Sequence, residues 1–138
     1  MRKLFVTFSV FLSIIIVCFS FKSTKSPEYY YEKGEEKYNE QDFKKAIVFY
    51  TKAINLKPEY VDALWKRGLS NVKIDSNQLA IKDFSKIIEI RPNGDVYNER
   101  AKVKFYIKDT IGACIDWDMG CELINNRACE YRRINCKK

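Results

Sequence analysis

The segments FKKAIVFYTKAINLKP (43–58) and NQLAIKDFSKIIEIRP (77–92) are two copies of one helix pattern, placed 34 residues apart. Apolar residues recur in them at spacings of three and four, which is one face of an amphipathic helix. A proline closes each copy, and proline cannot continue a helix interior. Self-similarity at a fixed period of this size is typical of proteins built from stacked helical hairpins.

The same period extends to both sides of these segments. A third copy follows at a shift of 33 residues, and its one-residue deletion falls in the loop around Asn93 and Gly94, where it costs little. The residues that correspond across the three copies are Gly34, Gly68 and Ala101; Ala46, Ala80 and Ala113; Tyr50, Phe84 and Trp117; and Pro58, Pro92 and Asn125.

Each copy is predicted to fold as two helices joined by a short turn. Ser26 followed by Pro27 is a helix N-cap with proline at the first helical position. Asp42, Ser76 and Asp109 occupy one equivalent position, and each can cap the second helix of its copy. We expect the small residues to let the two helices approach closely and the aromatic residues to fill the gap between successive hairpins.

This pattern resembles the tetratricopeptide repeat, with a small residue in the first helix, an alanine and an aromatic residue in the second, and a closing proline. The resemblance covers about residues 27–125. It implies an all-α fold, a right-handed solenoid of three helix-turn-helix hairpins. The third copy departs most from the signature, and terminal repeats are commonly atypical. The implied units are a domain at 27–138, repeats at about 27–60, 61–93 and 94–126, and a capping helix at 127–136.

The N-terminal segment has the pattern of an export signal. Two basic residues follow the initial methionine, residues 4–21 are apolar apart from a few hydroxyls, and Lys22 ends the run. A charged start followed by an apolar core is typical of a secretory signal peptide. We expect residues 1–21 to act as this signal, and the small residues Cys18 and Ser20 predict cleavage before Phe21, which is then near the mature N-terminus.

Two other interpretations of this segment stay open. The aliphatic run before Cys18 resembles a lipoprotein processing box, which makes Cys18 a candidate for lipidation. The apolar run is also long enough to cross a bilayer as an uncleaved anchor. All three interpretations place the remainder outside the cytosol, periplasmic, secreted or membrane-anchored, beyond a polar linker at residues 22–26.

The four remaining cysteines predict a covalent clasp at the C-terminal end. Two antiparallel helices that meet at a turn bring together residues equally distant from it. A turn at Asn125–Asn126 therefore pairs Cys114 with Cys136 and Cys121 with Cys129. Cys114 cannot bond to Cys121, because they lie about 10 Å apart along one helix. Export would make disulfides chemically reasonable.

The composition excludes several classes of function. Histidine is absent, which removes the usual general base and the usual zinc nitrogen ligand. The cysteines lack the Cys-x-x-Cys spacing of zinc sites and catalytic dithiols. Of 25 basic residues, four precede residue 27, which leaves 21 against 18 acidic residues and no dense basic stripe for nucleic acid. We therefore predict no catalytic residue, no metal, no cofactor and no nucleic-acid partner.

In the tetratricopeptide family, the first helix of each hairpin lines a concave groove that takes peptides or helices of partner proteins. Trp65 is the expected anchor, because tryptophan gives a large contact area at low entropic cost. The basic clamp by which some members hold a chaperone C-terminus is missing here. Carried over by repeat position, the resemblance implies a groove lined by Tyr31, Glu35, Tyr38, Trp65, Leu69, Val72, Lys73, Asn98, Lys102, Phe105 and Tyr106.

The leading prediction is an exported protein-binding module or assembly scaffold. An exported hydrolase is the second class, since the stretch from Gly120 to Cys129 also resembles the helix-junction cysteines of Sel1-like repeats. The chain shows no nucleophile elbow and no phosphate loop, and Asp116 and Asp118 point to different helix faces. A structural subunit of a membrane-bound complex is the third class, which a retained N-terminal anchor would favour.

Overall fold

The computed structural model describes residues 25–136 and shows seven helices and no strand in that range. They form three helical hairpins followed by one further helix, which confirms the predicted all-α solenoid. The signal segment predicted at 1–21 lies outside the described residues. None of the described helices is long and apolar enough to cross a membrane. The helices are α1 Pro27–Asn39, α2 Phe43–Leu56, α3 Val61–Lys73, α4 Asn77–Ile90, α5 Gly94–Tyr106, α6 Thr110–Glu122 and α7 Asn126–Asn135.

Side-chain caps start three of the seven described helices at the predicted residues. The Ser26 hydroxyl accepts a hydrogen bond from the backbone N–H of Tyr29 at 3.2 Å. Asp42 and Asp109 cap α2 and α6 in the same way. Ser76 holds the N-cap position of α4 but makes no capping hydrogen bond, so the prediction for that residue was wrong.

The turn inside each hairpin uses the same backbone conformation. Gln41, Asp75 and Lys108 have positive φ angles of 61°, 57° and 69°. Ile124 has the same conformation, with φ of 62°, between α6 and α7. Residues other than glycine adopt this left-handed region uncommonly. The three repeats therefore share their turn geometry although the turn residues differ.

Glycines in the first two hairpins make room for an aromatic ring. A Cβ atom on Gly68 would lie 2.8 Å from Cε1 of Phe84, and a Cβ atom on Gly34 would overlap the ring of Tyr50. Both rings are fully buried. The two helices of a hairpin thus approach closely because the first helix has no side chain at this point.

The buried residues form two clusters along the array. The larger joins the second hairpin to α5 and contains Leu64, Ala80, Phe84, Ile87, Val96 and Val103. The smaller fills the last hairpin and its cap with Ala101, Ala113, Trp117 and Ala128, with Cys114 and Cys136 packed against it. The aromatic residues of the second helices therefore lie in the core, as the repeat pattern predicts.

Two disulfides attach α7 to the last hairpin. Cys114 is bonded to Cys136 with a Cα–Cα distance of 5.7 Å, and Cys121 to Cys129 with 4.7 Å. Both distances are in the range usual for disulfides. The predicted nested pairing is confirmed. Oxidised in this way, the four cysteines offer no thiolate to a metal or a redox reaction.

A buried ion pair inside the second hairpin also contacts the first hairpin. Arg67 donates to both carboxylate oxygens of Asp83, at 2.6 and 3.0 Å. The same guanidinium donates to the Thr51 hydroxyl of α2 at 3.1 Å. Such bidentate, charge-assisted contacts fix geometry as well as contributing energy. The second and first hairpins are therefore held in register by a polar contact.

The third hairpin repeats this arrangement. Arg100 donates to both oxygens of Asp116 at 2.7 and 2.8 Å, and to the Ser85 hydroxyl of α4 at 2.8 Å. Lys104 adds a second cation, with its Nζ 2.9 Å from Asp116. The Asp116 side chain is almost fully buried, so its charge depends on these two partners.

Candidate partner-binding groove

The predicted groove begins on α1, where side chains already bind one another. The Tyr31 ring lies 5.3 Å from that of Tyr60 and 5.8 Å from that of Tyr50, between centroids. The Glu35 carboxylate accepts from the Tyr50 hydroxyl and from Lys66 Nζ, the latter at 2.6 Å. Tyr31 and Glu35 thus lie on α1 as the resemblance implies, but contacts with other residues of the chain cover much of their surface.

Carboxylates at this end of the groove disfavour ionisation of the nearby phenols. Burial, together with the carboxylates of Glu35 and Asp62, raises the pKa of Tyr31 to about 12. The pKa of Tyr60 is raised by burial and by the carboxylates of Glu28 and Asp62. Negative charge disfavours the ionised phenol in both cases.

Trp65 belongs both to the core and to the groove. Its ring centroid lies 5.6 Å from that of Phe84, and it packs against the larger core cluster. It also lines a cavity of about 240 Å³ together with Asp62 and Asp95. Trp65 is therefore not a free anchor, and its truncation would disturb the core as well as the groove.

The larger of the two groove cavities lies between α3 and α5. Tyr106 is 66% exposed there. Lys102 stands on the rim with its Nζ 2.8 Å from the Glu99 carboxylate. The cavity has a volume of about 520 Å³ and its walls include Leu69, Val72, Lys73, Lys102, Val103 and Tyr106. Five of the predicted groove residues meet at this cavity.

Asn98 was wrongly predicted to line the groove. It is 3% exposed, because its side chain is much shorter than the Tyr31 and Trp65 rings at the same repeat position. Its Oδ1 atom is buried without a hydrogen-bond partner in the described part of the chain. Tyr38 is partly covered as well, packed edge-on against Phe43 with ring centroids 5.3 Å apart.

A row of carboxylates along the groove was missed in the sequence. Glu28, Asp62 and Asp95 are each the second residue of a first helix, one repeat apart, and all three are exposed. The row is visible in the sequence at shifts of 34 and 33 residues. Charged residues on a helix surface are normally solvated, however, so their recurrence alone does not indicate a binding site. Acidic residues near helix N-termini also stabilise the helices, so the row has a structural role whatever it binds.

Residues 28–75 match a family model described as TPR repeat. The fold is that of the tetratricopeptide repeat. The first TPR domain of Spaghetti (RPAP3), solved with the HSP90 peptide SRMEEVD, is similar with a TM-score of 0.73 and 19% identity, over 80% of this chain and 90% of that one. The Arabidopsis OM64 TPR domain gives a TM-score of 0.73 and 24% identity, over 80% and 94%. Likeness at these identities shows the fold alone.

A curated relative matches about half of the chain. The UDP-N-acetylglucosamine–peptide N-acetylglucosaminyltransferase of Giardia intestinalis is 36% identical over 70 residues, which is 49% of this chain and 5% of that protein. The chain thus spans a small fraction of the relative's length. The enzyme name therefore describes a much larger protein, and the match assigns no catalysis to these TPR hairpins.

Proposed function

We propose that this chain is an exported protein-binding module that holds a segment of a partner protein in the groove of α1, α3 and α5. The observation that carries the proposal is the 520 Å³ cavity between α3 and α5, with apolar walls and charged rims. Binding sites commonly combine such an apolar lining with a few polar groups that fix orientation. The peptide-bound TPR domain of similar fold supports a peptide or helix as the ligand.

The acidic chaperone peptide of that structure is not the ligand we expect here. A C-terminal carboxylate needs cations in the groove. The corresponding positions hold Tyr31 and Glu35, Trp65 and Leu69, and Asn98 and Lys102. Of these six residues Lys102 alone is basic, and it is paired with Glu99. Glu35 would repel a carboxylate. The partner segment is therefore of another type.

Tyr106 offers a clean test, because it is 66% exposed and lies in the groove. We expect Tyr106→Ala to weaken binding of a captured partner by about 2 kcal/mol, since exposed tyrosines are frequent hot spots. Leu79→Ala is the control, because Leu79 is 56% exposed on α4, outside the groove. Affinity and thermal unfolding are measured for both variants, with a partner identified by affinity capture from the native envelope. Equal losses of affinity in the two variants would show that the partner does not bind in the groove.

Export is the second part of the proposal. It is supported by the charged and apolar pattern of residues 1–21 and by the two disulfides, which persist in oxidising compartments. N-terminal sequencing of the native protein tests it, with Phe21 as the expected first residue. A cytosolic product that begins at Met1 would contradict export, and a lipid on Cys18 would replace the soluble form by an anchored one.

An assembly-scaffold role would use the same groove within a larger complex, and it rests on the same test. The likeness of the Gly120 to Cys129 stretch to Sel1-like repeats stays a prediction that rests on cysteine position. A Sel1-like protein with disulfides at the same positions of a hairpin junction would confirm this likeness.

A further inference from the structure

The two ends of the groove differ in charge. At the end where the first helices begin, Glu28, Asp62 and Asp95 form an exposed row, and Glu32 follows Glu28 one helical turn later. At the other end, the rim of the larger cavity is balanced. Two lysines and two acids line it there: Lys73, Lys102, Asp75 and Glu99. A segment lying along the groove therefore meets an acidic end and a nearly neutral, apolar end.

The carboxylates of the acidic end have few partners within the described residues; Asp95 accepts a hydrogen bond from Asn125 Nδ2 at 2.6 Å. In the described part of the chain, no ion pair involves Glu28, Glu32 or Asp62. The neighbouring cation Lys66 is held by Glu35, with 2.6 Å between Nζ and Oε2. The acidic end therefore has charge left for a partner.

Aromatic rings and a cavity accompany these carboxylates. Trp65 lines the 240 Å³ cavity between Asp62 and Asp95, whose other walls include Val61, Ile87, Val96 and Arg91. In the described residues, no ion pair joins Arg91 to either aspartate. Long basic side chains combine an apolar stem with a charged head, and tryptophan attracts cations over its face. The cavity thus offers an apolar wall for the stem and carboxylates for the head.

We propose that the segment bound in this groove is basic and amphipathic, an inference that rests on the proposed function. Its lysine or arginine side chains face Glu28, Asp62 and Asp95, with one stem against Trp65. An apolar side chain of the same segment enters the larger cavity beside Leu69 and Tyr106. Complementary charge of this kind sets orientation and partner choice.

A displayed library of random short peptides, selected on the full-length chain in detergent, tests this partner chemistry. Peptides that lose binding with Tyr106→Ala are groove-dependent, and we expect them to be enriched in lysine and arginine. Their affinity is then measured on a variant that combines Glu28→Gln, Asp62→Asn and Asp95→Asn. The matched control combines Glu89→Gln, Asp118→Asn and Glu122→Gln on the second helices, with the same change in net charge. We expect about a tenfold loss in the first variant and less than about a twofold loss in the control.

The outcomes separate the two levels of the proposal. Groove-dependent peptides that are acidic or neutral would overturn the basic partner and leave the groove function standing. Equal losses of affinity in the two charge variants would do the same, because net charge alone would then explain the effect. A library that yields no groove-dependent peptide would overturn the groove function, and the inference would fall with it.

Discussion

The first and the last hairpin of this array share a helix pattern but are attached to their neighbours by different chemistry. Arg100 and Asp116 form a buried ion pair in the last hairpin, which two disulfides also tie to its cap. In the first hairpin, Lys33 and Phe49 occupy the positions of that arginine and aspartate. Its polar contacts to α3 are the partly exposed pair of Glu35 and Lys66 and the hydrogen bond from Arg67 to the Thr51 hydroxyl.

The difference follows from how much apolar surface each end can bury. A terminal repeat has a neighbour on one side alone, so it gains less from stacking than an interior repeat. The last hairpin is also the weakest match to the repeat signature, and its α6 leaves Ile111 79% and Ile115 58% exposed. A buried ion pair and two covalent links hold this end where the apolar pattern is poorest.

The largest expected effect comes from removing the buried carboxylate of the last hairpin. Asp116→Ala leaves Arg100 and Lys104 without their shared partner, and breaking a buried pair in this way costs about 3–5 kcal/mol. Asp118→Ala on the same helix is the control. Its pair with Arg132 is about half exposed and contributes no more than about 1 kcal/mol. Urea unfolding of the oxidised proteins measures both, and similar losses would show that the buried pair does not hold the last hairpin.

The disulfides come next. Replacing Cys114 and Cys136 by serine should lower the free energy of unfolding by about 2–4 kcal/mol, and replacing Cys121 and Cys129 should cost less. The reason is loop length, since the bonded residues are 22 apart in the first pair and 8 apart in the second. Hydrogen exchange should show the loss of protection at α7 before α1. Uniform loss along the chain would contradict a clasp that acts on one end.

The sequence predicted the buried aromatic residues and the disulfides of these hairpins, but it did not predict their buried ion pairs. Tyr50, Phe84 and Trp117 recur with the repeat, and a helix period places them in the core. The Arg67–Asp83 and Arg100–Asp116 pairs also recur with the repeat. Charged residues on a helix surface are normally solvated, so this recurrence did not predict buried ion pairs. The burial of Asn98 depends on how far the neighbouring side chains extend in the folded structure. The repeat pattern of the sequence does not contain that information.

A smaller effect distinguishes the glycine-containing hairpins from the last one. Gly68→Ala places a Cβ atom 2.8 Å from the buried Phe84 ring, and overpacking of this kind costs about 1–3 kcal/mol. Alanine also gains about 0.5–1 kcal/mol of helix stability, so we expect a net loss of about 1 kcal/mol. Ala101→Gly in the last hairpin is the counterpart and should lose about 0.5–1 kcal/mol through chain flexibility and about 0.8 kcal/mol more through the loss of a buried methyl group. Thermal unfolding decides, and a more stable Gly68→Ala protein would mean that the close helix approach is not required.

The smallest effect concerns alkaline pH at the first hairpin. The pKa of Tyr31 is raised to about 12 by burial and by Glu35 and Asp62, whereas an unfolded tyrosine ionises near about 10. The fold therefore favours the neutral phenol, and this contribution to stability is full below about pH 10 and is lost as the pH rises towards 12. Unfolding midpoints in urea, followed from pH 9 to about 12, should fall less steeply for Tyr31→Phe than for the original chain. Lysines titrate in both proteins, so the difference isolates Tyr31, and parallel curves would show that the carboxylates of the groove do not act on it.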